Sequence, residues 1–376
     1  MTKHLILVGA GHAHLTCLKG LRDFTAQGYR VTVIGPGSHH YYSGMGPGML
    51  GGTYRPQEIR FNSQRMAEAG GACFVKGVVA RVKPSERKVV LASGEEISYD
   101  VVSFNIGSGV PTAGIAFQNA SNVFTVKPIE QLWCARKSIL AQLLSRTMEL
   151  VVGGGGPAGV EISGNLWRLV RQNKGVANIT LVAGRRLLAG FPDKVRQKAL
   201  ASLQSRGIQV VEGLHVTEIE AGRVRLTSGP QLPFDFLFLA LGVKPPGLFR
   251  DSGLPTGPDG GLLVNEFLQS VAFPEIFGGG DCIYFQPHPL DKVGVYAVRQ
   301  NPVLQDNLLA ALKGRPLRPF QPDGAYLLIF NLGDGRGIFW KKNLIFSGRL
   351  AFWLKDYIDR RFMRQFQISG ELAEAE

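Results

Sequence analysis

The chain has 376 residues, 45% of them hydrophobic, which is enough to bury sizeable cores and excludes wholesale disorder. Its 48 glycines follow no G-X-Y period, so a collagen-like rod is excluded and the glycines are left for tight turns and close backbone–ligand contacts. A net charge of +13 favours anionic partners such as nucleotides, nucleic acid or an anionic membrane surface.

The N-terminus enters the apolar run Leu5-Ile-Leu-Val8 at once, and the run breaks at Gly9 and His12, too early for a signal-peptide core. No stretch of 18 uninterrupted apolar residues follows, so no helix is expected to span a bilayer. The expectation is a cytoplasmic protein whose membrane contact, if any, is peripheral and on the inner face. Cys17, Cys73, Cys134 and Cys282 are far apart with no CxxC spacing. Neither a disulfide framework nor a zinc site is expected from them.

In chain order, Leu5–Val8 reads as a buried parallel strand and Gly9-Ala-Gly11-His-Ala-His14 as a glycine loop. Apolar spacing at Leu15, Leu18 and Leu21 predicts a helix to about residue 27, and Tyr29-Arg-Val-Thr-Val-Ile34 predicts the next strand. This βαβ context is what a dinucleotide fingerprint requires, because glycines let the backbone approach a pyrophosphate lying on the helix N-terminus. The same grammar returns at Leu150-Val-Val-Gly-Gly154-Gly-Gly156-Pro-Ala-Gly159-Val-Glu161. A helical pattern at Val160, Ile162, Leu166 and Leu169 follows, then the strand Asn178-Ile-Thr-Leu-Val182. Two such motifs about 145 residues apart point to two nucleotide sites.

Near the end of this region stands Pro274-Glu-Ile-Phe-Gly-Gly-Gly280-Asp281, a short strand closing on glycines and an aspartate. The three elements in this order resemble the two-dinucleotide-domain flavoproteins of the pyridine nucleotide–disulfide oxidoreductase superfamily. Asn105-Ile-Gly107-Ser108 and Ala240-Leu-Gly242-Val-Lys-Pro245 resemble that superfamily's connecting strands. His40-Tyr-Tyr-Ser43-Gly44-Met-Gly-Pro-Gly48 and Gly294-Val-Tyr296-Ala297-Val-Arg299-Gln300 resemble the type II NADH dehydrogenases and the flavoprotein module fused to selenide water dikinase.

The resemblance implies an α/β fold with two Rossmann-like domains, the second inserted in the first, and a C-terminal α+β segment. FAD would occupy 1–120 with 262–320, NAD(P)H would occupy 121–261, and 321–376 would form the C-terminal segment. By the same likeness FAD meets Gly9, Gly11, His14, Ser43, Gly44, Gly107, Asp281, Tyr296 and Ala297. The helix opening at Gly294 would aim its positive end at the flavin. NAD(P)H would meet Gly154, Gly156, Gly159, Arg185 and Gly242.

Four departures from the pattern are informative. His14 stands where the first fingerprint has its third glycine, and Gly35 stands where an acidic residue usually holds a ribose. After the strand ending at Val182 come Arg185 and Arg186 instead of an acid. Arginine pairs with a 2′-phosphate bidentately, which favours NADPH or dual use, the plain alternative being a solvated loop. The cysteine spacing of a disulfide reductase is missing as well, so thiol–disulfide chemistry is not expected.

Three residues are candidates for catalysis. Glu161 would reach the nicotinamide–flavin junction or else be held by its helix N-terminus. Arg299 and Gln300 would face the electron acceptor or else lie at the surface. His12, His14, His39 and His40 have no thiol or carboxylate beside them in sequence, so no metal site is expected.

From about residue 325 the grammar changes to a strand, a Gly333–Gly337 turn, an apolar run to Phe346, and a helix to Phe366. Leu350, Trp353, Leu354, Tyr357, Ile358 and Phe362 form its apolar side, and Lys355, Arg360, Arg361 and Arg364 the opposite side. Residues 336–366 thus read as a basic amphipathic helix and its flank that lie on a membrane, or that dock on the body or on a second copy as a homodimer. No nucleic-acid motif accompanies the charge, so nucleic acid is not an expected partner.

The expected activity is an FAD-dependent NAD(P)H oxidoreductase passing electrons to a quinone-type acceptor without a redox-active disulfide. Two other readings stay open: a soluble flavoprotein reductase for another acceptor, selenium-linked for instance, and a flavin redox sensor that binds nucleic acid or protein.

Overall fold

The computed structural model describes residues 2–374 apart from 230 and 323. Two five-stranded parallel sheets organise the chain, and their strand orders correspond. The first runs Ile276–Gly278, Val101–Phe104, His4–Val8, Arg30–Gly35, Cys73–Lys76; the second runs Val123–Thr125, Phe236–Leu239, Met148–Gly153, Ala177–Val182, Gln209–Val211. In each, the strand that feeds the glycine loop is central, flanked by strands on both sides. Leu5, Ile6 and Leu7 are fully buried, as a strand covered on both faces requires. Both loops therefore leave the carboxyl ends of their sheets, where ligands of doubly wound folds bind.

Short pairings link the two units, among them an antiparallel bridge between Gly109 and Lys244. Ala116–Phe117 pairs with Glu218 and Ile219, so the chain joins an edge of the second unit there. It touches the first unit again around residue 250, where Ser252 Oγ accepts from Val82 N at 2.9 Å and Phe249 meets Phe104 edge-on.

The helix expected over residues 15–27 is broken. A 3-10 turn, His12–His14, leads into Leu15–Lys19, and a second short helix spans Arg22–Thr25. The break at Gly20 has a packing cause: a Cβ there would stand 2.6 Å from Gln305 Nε2 of the long helix Gly294–Lys313, which presses against it. The second fingerprint keeps its helix whole over Pro157–Gln172, with proline in the first turn, where no amide partner is lost.

The C-terminal segment clasps both units. An antiparallel sheet of Leu328–Asn331, Gly337–Lys341 and Leu344–Gly348 lies against the helix Pro157–Gln172, and Gly164 allows that approach because a Cβ would stand 2.3 Å from Leu332 O. The helix Arg349–Phe366 then crosses back to the first unit. There Gln367 donates to the carbonyls of Gln57 and Arg60, and Glu374 pairs with His39, Arg60 and Arg65.

Candidate functional site

The first loop is built around Gly9 and Gly11. Gly9 has φ of 85°, and a Cβ there would stand 2.4 Å from Asn105 O; at Gly11 it would stand 2.3 Å from Asn105 Oδ1. Asn105 Oδ1 accepts from Ala13 N at 2.9 Å, and its Nδ2 donates to Gly279 O at 2.6 Å. One buried amide thus ties the loop to the glycine turn before Asp281.

His14 was expected among the cofactor contacts, and the structure corrects this. Its ring is fully buried beneath the loop, with Nδ1 2.7 Å from Gly9 O and Nε2 2.8 Å from Ser103 Oγ. Both nitrogens are used within the protein, so the imidazole holds the loop from below. Burial lowers its pKa to about 4, which keeps it neutral.

Asp281 accepts from Lys127 Nζ and from Ser108 Oγ, each at 2.7 Å. Burial pushes its carboxyl up, but Lys127 and then Ser108 outweigh it and the pKa lies below the usual value. Gln300 is buried, and its Oε1 accepts from Gly280 N at 2.7 Å, so it braces the turn carrying Asp281 instead of lying at the surface. Asp281, Phe285, Leu290, Val293, Tyr296 and Gln300 line a cavity of about 240 Å³. Tyr296 and Ala297 belong to the first turn of the helix beginning at Gly294, whose hypothetical Cβ would lie 3.9 Å from Ser43 Oγ. Arg299 stacks its guanidinium over the Tyr296 ring at 5.8 Å. Gly107, with φ of 69°, faces open space.

The second loop is tighter at its start and open at its end. Gly154 has φ of 125°, and a Cβ there would stand 2.1 Å from Ala240 O; at Gly159 it would stand 1.8 Å from Gly154 O. Gly156 and Gly242 face open space. Arg186 pairs with Asp193, whereas Arg185 is exposed with no ion partner among the described residues.

Glu161 does not turn back to its helix N-terminus. Its Oε1 accepts from Asn331 N of the C-terminal sheet at 2.7 Å, and burial lifts its carboxyl to about 7 despite the opposing influence of Lys355. The placement of Lys355 is a second correction. It was expected on the exposed cationic side of its helix, yet it is buried, with Nζ 2.8 Å from both Asp359 Oδ2 and Gly44 O. Burial opposes its charge, but Asp359 and Glu161 outweigh that and raise its pKa. Tyr42 donates to the other oxygen of Asp359 at 3.1 Å. The carboxyl of the second unit, the loop of the first and the C-terminal helix therefore meet at one buried cluster.

The C-terminal helix leaves much of its apolar side exposed and buries Lys355. Leu350, Trp353, Tyr357 and Ile358 are 65%, 60%, 47% and 40% exposed, and Trp353 stacks on Tyr357. Leu354 and Phe362 are half-buried, and Arg360 is tied to Asp356 and Glu58. Among the described residues no helix is long and apolar enough to cross a membrane.

Sequence reasoning missed Asn105 as a bracket, Lys127, Tyr42, and the Lys355–Asp359 pair. The i,i+4 spacing of that pair was the one available signal. Cys17 and Cys282 are buried, and burial pushes both thiols up, Cys282 to about 11; Cys73 and Cys134 are exposed.

Alongside a glycine cradle, a half-buried aspartate near it and a second cradle in a corresponding sheet, residues 3–301 of the chain match one family model, the pyridine nucleotide-disulphide oxidoreductases. The chain belongs to that family. Within reach of it lie "Type II NADH:quinone oxidoreductase" of Staphylococcus saprophyticus, 26% identical over 98% of this chain and 96% of that one, and the mitochondrial "Internal alternative NAD(P)H-ubiquinone oxidoreductase A1" of Arabidopsis thaliana, 25% identical over 74% of this chain. The match spans 60% of the Arabidopsis protein's length. Among solved structures, NDH2 from Plasmodium falciparum in complex with NADH superposes with a TM-score of 0.80 at 14% identity, covering 99% of each chain. Sulfide:quinone oxidoreductase from Aquifex aeolicus gives 0.76 at 15% identity, covering 98% of this chain and 92% of that one. These likenesses agree with the fold of the family.

Two tests of fit bear on the family's cofactors. In the first unit, Gly107 faces open space at positive φ beside Ser108, and Ser108 and Lys127 hold Asp281 at a cavity of about 240 Å³. In the second, Gly156 is open at the start of a whole helix whose free amides suit a phosphate. The residues present fit FAD and a nicotinamide nucleotide.

Proposed function

We propose that the protein is an FAD-dependent NAD(P)H oxidoreductase that passes two electrons to a quinone-type acceptor without a redox-active disulfide. The observation that carries the reading is Glu161: a carboxyl with a pKa near 7 on the second unit, gathered with a first-unit loop and the C-terminal helix. When bound, FAD supplies the relay that takes a hydride from the nicotinamide and hands an electron pair to the acceptor. A hydride brings two electrons and one proton, so reducing a quinone to a quinol needs one further proton. Glu161 is suited to give it, because at neutral pH it is present in both protonation states. Lys355 and Asp359 hold the positive and negative charge around it, and Tyr42 fixes Asp359. Gly9, Gly11, Ser43, Gly44, Gly107, Asp281, Tyr296 and Ala297 would surround the flavin. Gly154, Gly156, Gly159 and Gly242 would hold the nucleotide, with Arg185 free to meet a 2′-phosphate. Arg299 and Gln300 would act at the flavin end of the long helix, Gln300 by fixing the Asp281 turn.

The exposed Leu350, Trp353, Tyr357 and Ile358, flanked by the exposed Arg349, Arg361 and Arg364, suit peripheral attachment to an anionic bilayer, with quinone arriving from it. The relatives named for quinone reduction support the acceptor class.

The test is an anaerobic titration of the FAD-loaded protein with NADPH and with NADH, followed by a short-chain quinone. Bleaching of the flavin band and its return on adding quinone are expected. A bound flavin that neither nucleotide reduces would overturn the reading. Sedimentation with anionic vesicles checks attachment: Trp353→Glu should weaken it without lowering Tm, and equal binding would remove the membrane role.

A further inference from the structure

A second concave region lies away from both glycine cradles. Trp167, Arg168, Arg171, Gln172, Gly333 and Asp334 line a cavity of about 360 Å³, within the size range of small-molecule sites. It sits on the later turns of the helix Pro157–Gln172, against the turn that joins Leu328–Asn331 to Gly337–Lys341. At a rise of 1.5 Å per residue, Arg171 stands about 15 Å along that helix from Glu161. None of these side chains belongs to the flavin or nicotinamide sites proposed above.

The walls are held in place. Arg168 Nη1 donates to Gly333 O at 3.3 Å. A Cβ on Gly333 would stand 2.1 Å from Gly164 O, so the turn lies directly on the helix. Arg206, just beyond the helix Asp193–Gln204, donates to Leu332 O and, through Nε at 2.8 Å, to Ser202 O. The guanidiniums of Arg171 and Arg206 lie 5.4 Å and 5.2 Å from the centre of the Trp167 ring. One indole thus gathers two cations, and Arg168 adds a third on the next residue.

What is scarce around them is negative charge. No carboxylate forms an ion pair with Arg168, Arg171 or Arg206 among the described residues. Asp334, the acid on the cavity wall, acts on Arg206 only from a distance, and its Oδ1 accepts from Arg336 N. Three guanidiniums and one carboxylate leave an excess of two positive charges. A helix C-terminus accounts for one arginine in its last turn, and an indole accounts for stacked cations. Neither explains three cations assembled against their own repulsion. A bound dianion does. Stacking on the indole leaves the in-plane N–H groups of a guanidinium free, and that fork takes a phosphate bidentately. Gln172 and Asp334 add an amide and a carboxylate that suit hydroxyl groups on the phosphate's carrier.

We propose that this cavity binds a hydroxyl-bearing phosphate monoester, gripped by Arg168 and Arg171 with Arg206 behind them. Such a group, near −2 at neutral pH, matches the excess charge. Its source is a free metabolite or the headgroup of an anionic lipid. The lipid source has its own support: Gly337 pairs with Gly348, so the turn lies at the end of the sheet where the helix with exposed Arg349 and Leu350 begins.

The experiment titrates the FAD-loaded full chain, with NAD⁺ in excess to occupy the cradles, with glycerol 3-phosphate. Heat and tryptophan emission are followed together. Saturable binding is expected, with an emission change that Trp167→Phe abolishes. Arg171→Gln, at an exposed position, should weaken binding about tenfold or more through loss of a charged partner. Arg223→Gln, at an exposed arginine of another sheet, should leave it within about twofold. Dihexanoyl phosphatidate presents the same glycerol phosphate on a lipid and separates the sources. Tighter binding than glycerol 3-phosphate, equally lost in Arg171→Gln, assigns a lipid headgroup; weaker binding assigns a free metabolite. Absence of saturable binding by both probes would overturn the proposal. So would equal weakening by Arg171→Gln and Arg223→Gln, which marks only the general attraction of a basic surface.

Discussion

The two glycine loops begin alike and are finished differently. Both leave a central parallel strand through a glycine at positive φ, Gly9 and Gly154, pressed against a neighbouring strand's carbonyl. Beyond that point the first loop is closed in. His14 fills the place of the third glycine, Asn105 brackets the backbone, and the C-terminal tail is bound across the adjacent segment by Glu374. The second loop keeps its third glycine, runs into an unbroken helix, and lies beside the segment that carries the exposed Arg185, Leu188 N donating to Gly155 O at 2.7 Å. A loop stapled from below and covered suits a cofactor that stays. A loop open to solvent, with a cation in front, suits a nucleotide that comes and goes.

Substituting the two positive-φ glycines tests that contrast most severely. Gly9→Ala and Gly154→Ala each force a Cβ into a carbonyl at a backbone angle costing about 1–3 kcal/mol in strain alone. Gly9→Ala should yield protein with little FAD. Gly154→Ala should keep its flavin yet be reduced by NAD(P)H about 10- to 100-fold more slowly in stopped flow. The same defect in both variants would show that the loops do not have separate tasks.

Glu161→Gln comes next. Flavin reduction by NAD(P)H should change little, while reoxidation by quinone falls about 10²-fold, the lower end of general-acid contributions. The sign with pH follows from the raised pKa: the proton is present below about 7 and lost as pH rises through it. Wild-type reoxidation should therefore decline above pH 7, and the glutamine variant should show no such limb. The same raised pKa makes folding stability fall as pH climbs from the ordinary carboxyl value to about 7, a fall that Glu161→Gln removes.

Arg185→Glu should raise the KM for NADPH about tenfold or more and leave that for NADH within about twofold, because only the 2′-phosphate meets the new carboxylate. Equal effects on both nucleotides would take Arg185 out of the mouth of the site. His14→Ala should have the smallest functional effect. It removes two buried hydrogen bonds beneath the first loop and should lower stability by about 1–3 kcal/mol, read as a lower Tm, with nucleotide preference unchanged. Loss of hydride transfer with unchanged Tm would place His14 at the cofactor after all.

Much of this contrast was legible in the chain itself. The strand–glycine–helix units were visible because a buried parallel strand needs an unbroken apolar run and a phosphate-binding turn needs glycine. The broken first helix was not, because Gly20 is short for the sake of a helix nearly 280 residues further on. The C-terminal helix was legible as amphipathic, but the burial of Lys355 was not. Periodicity treats a lysine as a solvent-facing residue, whereas Lys355 is buried because Asp359, Glu161 and Gly44 O surround its ammonium.

Composition and local pattern by themselves determined the two nucleotide-binding units, the late Gly–Asp turn and a basic aromatic C-terminal helix. These depend on short-range rules of backbone conformation and hydrophobic period. The tertiary structure alone decided that Glu161 leaves its own helix for Asn331, that His12 and His40 keep unmet nitrogens while His14 does not, and that Trp353 faces solvent while Lys355 does not. The physical reason is common to all three. Whether a polar group is buried, and what its pKa becomes, depends on the elements packed around it; even the i,i+4 pair Lys355–Asp359 is completed by Gly44 O and Tyr42 from the far end of the chain.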